Sequence, residues 1–146
     1  MERKRILVVD DEENFTRMVK RTLERTGFYE VFTENRGTQA VAAARFCQPH
    51  LILLDVIMPD MDGGDVVMAL QKDMKLRKIP VVFLTAAVSR RETNEGGVVS
   101  GGFQFLAKPI ALADLVESIE AKLGHPNRGK RSAAKDATAT PNKPQR

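Results

Sequence analysis

Only one cysteine, Cys47, occurs in the 146 residues, which excludes an intramolecular disulfide and fits a reducing compartment. It follows Phe46 on an apolar helical pattern, where a buried packing role is expected of it. Tryptophan is absent and aromatics are 5% of the chain, so the core must be aliphatic. No apolar run approaches the ~18 residues of a membrane span. The basic start, Met1 to Arg5, leads into Ile6 to Val9, which is too short for a signal-peptide core and stops at Asp10 and Asp11. A cytoplasmic protein with no membrane partner is expected.

Charge is unevenly distributed. The whole chain carries +4, but from His125 onward six bases face a single acid, Asp136, so that segment carries +5 and residues 1–124 carry −1. The basicity belongs to the tail. Residues 125–146 are rich in Pro, Lys, Ala and Thr without apolar period, and a disordered extension is expected. If the tail does more than solubilise, counterion release would let it touch nucleic acid or another anionic surface. The remaining 1–124, in a chain 42% apolar and 29% charged, is long enough for one folded domain with a proper core.

What that domain does have is short apolar runs that end on polar residues. Leu51 to Leu54 shows no helical period, reads as a strand buried on both faces, and stops on Asp55. Pro59 then fixes its own φ, and Gly63 and Gly64 permit φ above zero, which predicts a turn before the next element. Ile6 to Val9 is a similar strand ending on Asp10-Asp11, and Val81 to Thr85 ends on a hydroxyl. Tyr29 to Thr33 is a weaker strand, expected near an edge, and Phe103 to Ala107 is broken by Lys108-Pro109. Between these runs, helical spacing links Phe15, Met18, Val19, Thr22 and Leu23 up to the stop at Gly27, then Ala40 to Cys47, Val66 to Met74, and Leu112 to Leu123. Ala86 to Gly102 contains Gly96-Gly97 and Gly101-Gly102, so the helix expected there is short or irregular.

Alternation of strands and helices implies right-handed crossovers and a parallel, doubly wound α/β sheet, with ligands at the C-terminal strand ends. That rim receives Asp10, Asp11, Asp55, Thr85 and Lys108. Clustered carboxylates repel one another unless a cation neutralises them, and hard oxygen donors suit Mg²⁺ together with phosphate oxygens. A lysine and a hydroxyl opposite would hold an oxyanion.

Asp10-Asp11, Asp55-x-x-Met58-Pro59-x-x-Asp62-Gly63, Thr85-Ala86 and Lys108-Pro109 resemble, in order and spacing, the receiver domain of two-component response regulators. The match covers roughly Lys4 to Leu123, and a stand-alone receiver of the chemotaxis-regulator kind is expected. The resemblance implies a flavodoxin-like fold of five parallel strands in the order 2-1-3-4-5 with five helices, the fourth short or irregular. It implies that Asp55 accepts a phosphoryl group from a sensor histidine kinase or a histidine phosphotransfer protein. By the same resemblance Asp11 binds Mg²⁺ directly, Asp10 directly or through water, and the Ile57 backbone carbonyl completes the ligands. Lys108 pairs with phosphate oxygens, and Thr85 and Phe105 act as the switch that an unnamed downstream protein reads. The resemblance implies that the receiver either switches a partner-binding surface or relays the phosphoryl group, promoting only its own phosphorylation and dephosphorylation and otherwise not acting as an enzyme, as a monomer or weak dimer.

Plainer readings stay open for single residues: Asp10-Asp11 as a helix cap, Thr85 as a strand end, Phe105 as core, Lys108-Pro109 as a turn. His50 lies at the opposite end of its strand from Asp55, and His125 lies in the linker. Three other functions compete. An aspartyl-phosphate hydrolase would want a second acid two residues after the nucleophile, where this chain has Ile57. A flavin or nucleotide binder would want a glycine-rich loop after the first strand, where this chain has Asp10-Asp11-Glu12-Glu13. A receiver fold whose basic tail makes it a nucleic-acid adaptor is the third alternative. The nonpolar Ile57 and Ala87 also suggest that the phosphoryl group is not removed by an intrinsic amide-assisted route.

Overall fold

A computed structural model describes residues 2–86, 98–100 and 103–124. Strands β1 (Lys4–Val9), β2 (Tyr29–Glu34), β3 (Leu51–Asp55), β4 (Val81–Thr85), β5 (Val98–Ser100) and β6 (Phe103–Ala107) form one sheet in the order β2-β1-β3-β4-β6-β5. The five expected strands are β1 to β4 and β6. They run parallel in the order 2-1-3-4-5, and β2 takes the edge foreseen for it. The sixth strand, β5, is antiparallel to β6, with Ser100 opposite Phe103. It falls in the stretch expected to hold the irregular helix. Residues 87–97 and 101–102, where the rest of that expectation falls, lie outside the described residues, as does the tail beyond residue 124.

Among the described residues there are four α-helices: α1 (Glu13–Glu24), α2 (Ala40–Cys47), α3 (Gly63–Gln71) and α4 (Leu112–Leu123). Side chains alternate across a strand, so β1 sends Ile6 and Val8 to one face and Leu7 and Val9 to the other. Ile6, Val8, Leu51, Leu53, Val82, Leu84 and Leu106 pack with α1 and α4. Leu7, Val9, Ile52, Leu54 and Phe83 pack with α2 and α3. All five residues of β3 are buried, as its continuous apolar run requires of a central strand.

Where the helical faces depart from the sequence pattern, neighbouring elements decide. In α1 the buried residues are Thr16, Val19 and Leu23, while Met18 is exposed. Phe46, within the apolar pattern of α2, is 84% exposed, and the adjacent Cys47 is buried with its thiol pKa raised by that burial. Helix α3 ends at Gln71, so Met74 lies beyond it and is exposed. Gly27 does stop α1 with φ +84, a left-handed position that suits glycine.

Gly63 and Gly64 do not turn the chain with positive φ, since among the described glycines only Gly27 and Gly124 have it. The turn is instead closed by Asp62, which caps α3 by accepting a hydrogen bond from the Asp65 N–H at 2.9 Å. Gly63 is needed for space. A Cβ there would lie 2.7 Å from the Asp55 carbonyl oxygen and 3.0 Å from Phe83 Cε1, while the Gly63 N–H donates to the Val56 carbonyl at 2.7 Å. The helix start is thus pressed against the end of β3.

Gly63→Ala is expected to destabilise the domain by about 1–3 kcal/mol, as overpacking does. Gly64→Ala, whose Cβ would sit 3.4 Å from Asp62 Oδ1, is expected to be near neutral. Urea unfolding of both variants checks the contrast, and equal midpoints would refute the steric account.

Candidate metal and anion site at the strand ends

Strand register brings the rim residues together. Val9 pairs with Leu54 and Asp55 with Leu84, so Asp10 and Asp55 leave adjacent strands at the same level. Thr85 pairs with Ala107, which puts Lys108 one step beyond. The Lys108 N–H donates to the Thr85 carbonyl at 2.9 Å, and the Val56 N–H donates to the Leu84 carbonyl at 2.9 Å, extending the sheet's hydrogen bonding past the strand ends. Asp10 is fully buried, Asp55 is 5% exposed, Thr85 is 3% exposed, and Asp11 is open to solvent.

One carboxylate oxygen from each of Asp10, Asp11 and Asp55 lies within 4.8 Å of the others. Burial first, and then the charge of Asp10, push the Asp55 pKa from its ordinary 3.8 up to about 7, against the lowering charge of Lys108. Contact with Asp11 adds to the rise. A buried acid held in this way calls for a cation. The all-oxygen donors, one of them solvent-facing, fit Mg²⁺, which keeps waters and binds through few carboxylates.

Lys108 supplies the counter-charge. Its Nζ lies 2.8 Å from Asp10 Oδ2, 3.3 Å from Glu12 Oε1 and 3.9 Å from Asp55 Oδ2, and its side chain is 12% exposed. Burial opposes its charge, but Asp10, Asp55 and Glu12 outweigh that and raise its pKa above the usual lysine value. The ammonium also sits 4.7 Å from the centroid of the Phe15 ring. The peptide bond before Pro109 is cis.

Both Asp10 oxygens are engaged, Oδ2 by Lys108 and Oδ1 by the Glu12 N–H at 2.9 Å. Asn35 steadies the same corner, its Nδ2 donating to the Asp10 carbonyl at 2.7 Å and to Thr16 Oγ1 at 3.1 Å. Ile57 lies on the loop just past β3 with its side chain 66% exposed. Phe105 is half-buried, further along β6 from the rim, and stacks on Phe83 with centroids 4.9 Å apart and planes 19° apart. Phe103 meets the same ring edge-on at 5.3 Å. His50 lies outside the rim, its Nδ1 accepting from the Arg5 N–H at 2.9 Å.

Four residues escaped the sequence reading. Glu12 and Phe15 flank Lys108, Phe83 lies between Phe105 and the Gly63 turn, and Asp60 bonds across to the β2–α2 connection. Glu12 carried a weak signal, two positions after Asp10 at the start of a helix. The others carried none, because their contacts cross between elements far apart in the chain.

The family model of the response regulator receiver domain matches residues 6–120. Response regulator PleD of Caulobacter vibrioides is 45% identical over 106 residues, which are 73% of this chain and 23% of PleD. The chain therefore spans about a quarter of that relative's length. The polar-differentiation response regulator DivK of Brucella anthropi is 32% identical over 83% of this chain and 97% of its own. Among solved structures, chemotaxis protein CheY4 of Vibrio cholerae superposes with a TM-score of 0.70 at 30% identity, covering 83% of this chain and 99% of that one.

The raised Asp55 pKa predicts a pH signature in metal-free buffer. Below the ordinary 3.8 Asp55 is protonated folded or unfolded; above it the unfolded chain ionises, while the folded chain holds the proton until about 7. Asp10, Asp11 and Lys108 face the group. The stability of Asp55→Asn relative to the parent should therefore rise between those two pH values and level off above them. Chemical denaturation across that range checks this, and a pH-independent difference would refute it.

Proposed function

This chain belongs to the response regulator receiver family, and on that premise we propose that Asp55 accepts a phosphoryl group from a phosphohistidine of a sensor histidine kinase or histidine phosphotransfer protein. Receiver domains of two-component systems are in general signalling modules, and such a role suits a site with an acceptor and a counter-charge. The single observation that carries the reading is the convergence of Asp10, Asp11 and Asp55 opposite Lys108 at one rim. In the transfer an Asp55 carboxylate oxygen forms the new O–P bond as the N–P bond breaks, its electron pair leaving on the imidazole nitrogen. No general base is required, because the carboxylate attacks in its ionised form and the work is positioning and charge neutralisation.

Asp11, Asp55 and the Ile57 carbonyl would hold Mg²⁺. When bound, the ion supplies neutralisation of the carboxylates and of the phosphoryl oxygens. Because both Asp10 oxygens already have donors, the through-water role suits Asp10 better than direct ligation. Lys108, 3.9 Å from Asp55, is placed to shift toward an incoming phosphoryl oxygen. Thr85, at the end of β4 beside β6, and Phe105, at partial cover on Phe83, then serve as the two-state element that a downstream protein reads. On this reading residues 1–124 are the receiver and residues 125–146 a basic extension. The protein acts in the cytoplasm as a monomer or weak dimer.

Incubation with Mg²⁺ and acetyl phosphate should add one phosphoryl group, absent in Asp55→Asn, and Lys108→Ala should slow the labelling by about tenfold or more. Intact-mass spectrometry reads both. Rapid multiple turnover of unrelated phosphate esters would instead support a hydrolase and overturn the proposal.

Ile57, exposed and nonpolar, offers no amide of its own to orient water near Asp55. Ile57→Asn is expected to shorten the lifetime of the aspartyl phosphate, followed as decay of the labelled mass. An unchanged lifetime would count against that role for position 57.

A further inference from the structure

The loop from Val56 to Asp62 carries the Ile57 carbonyl, so whatever holds that loop sets one corner of the site. Val56 is tied at one end, its N–H to Leu84 and its carbonyl to the Gly63 N–H. Asp62 closes the other end as the cap of α3. Between them the side chain of Ile57 points largely into solvent and gives no anchor.

Asp60 supplies one from across the surface. Its Oδ1 accepts from the Gly37 N–H at 3.2 Å, and its Oδ2 accepts from the Thr38 N–H at 3.0 Å and from Thr38 Oγ1 at 3.0 Å. Those N–H groups open the short 3₁₀ turn Gly37–Gln39 that runs into α2, and the flanking Arg36 makes no side-chain cap. Asp60 therefore caps a helical start that lies 22 residues earlier in the chain. A second observation shows how closely the two loops are fitted. A Cβ on Gly37 would lie 2.5 Å from the Met61 carbonyl oxygen and 3.1 Å from Met58 Cε, so the loops meet backbone to backbone. Met58 is itself buried in the core cluster under α2 and α3.

We propose that Asp60 is a positioning residue for the cation site: by capping the β2–α2 turn it holds the β3–α3 loop, and with it the Ile57 carbonyl, where a divalent ion needs it. The proposal rests on the reading of the rim as a Mg²⁺ site. Its physical basis is preorganisation. A carbonyl ligand on a loop that must first be ordered binds at the cost of that ordering, and a carboxylate sharing three donors supplies part of that ordering beforehand.

The test is Mg²⁺ affinity of the full chain, by calorimetric or NMR titration, for the parent, Asp60→Ala, Asp60→Asn and Thr38→Val. Asp60→Ala should weaken Mg²⁺ binding by about tenfold, with Asp60→Asn and Thr38→Val in between. At saturating Mg²⁺ the acetyl phosphate labelling rate of each should return to within about twofold of the parent, because the chemistry at Asp55 is untouched. Far-UV circular dichroism confirms folding, and if Asp60→Ala does not fold, the two milder variants give the readout. Parental affinity in the folded variants, or labelling that stays slow at saturating Mg²⁺, would overturn the proposal. A parent that binds no Mg²⁺ would instead overturn the metal reading on which it rests.

Discussion

Three carboxylates with oxygens within 4.8 Å of one another at the end of a sheet are the constraint around which this domain is arranged. Like charges at that spacing repel, and partial burial strengthens the repulsion. The fold offsets it with Lys108, delivered from β6, which bonds to Asp10 at 2.8 Å and faces Asp55 at 3.9 Å. The offset is incomplete, since the Asp55 pKa is still pushed up to about 7. A site left short of positive charge in this way is suited to take up a cation and, with it, an anion.

The rest of the structure keeps those groups in register. Parallel pairing of β1, β3, β4 and β6 sets Asp10 and Asp55 at one level, with Thr85 one residue and Lys108 two residues beyond it, and apolar clusters on both faces hold the strands there. The Gly63 turn presses α3 against the Asp55 carbonyl and against Phe83, on which Phe105 stacks. The β3–α3 loop and the start of α3 thus touch both the β2–α2 connection, through Asp60, and the aromatic layer over β4 and β6, through Gly63.

Much of the fold was legible because each strand reads as a short apolar run ending in a polar residue. Leu51 to Asp55 and Val81 to Thr85 show this directly. The helices were legible in place but less so in facing. Phe46 lies in an apolar pattern and is exposed, because α2 buries only a narrow stripe against the sheet, whereas Met74, spaced as core, is exposed because α3 ends before it. Gly63 was legible as a turn glycine for the wrong reason, since space beside Asp55 and Phe83 requires it and not a positive φ. The strand at Val98–Ser100 was hidden by the flanking glycine pairs, which argue against helix without arguing for a β partner.

By itself the sequence determined the alternation of strands and helices and the placing of Asp10, Asp11, Asp55, Thr85 and Lys108 at strand ends. Local hydrophobic pattern and chain breakers suffice for that. Tertiary structure alone decided that Lys108 is shared among Asp10, Glu12 and Asp55, that Phe83 backs Phe105, and that Asp60 caps a turn 22 residues before it. Each of those contacts joins segments distant in the chain, and only strand order and register bring them within hydrogen-bonding or van der Waals reach.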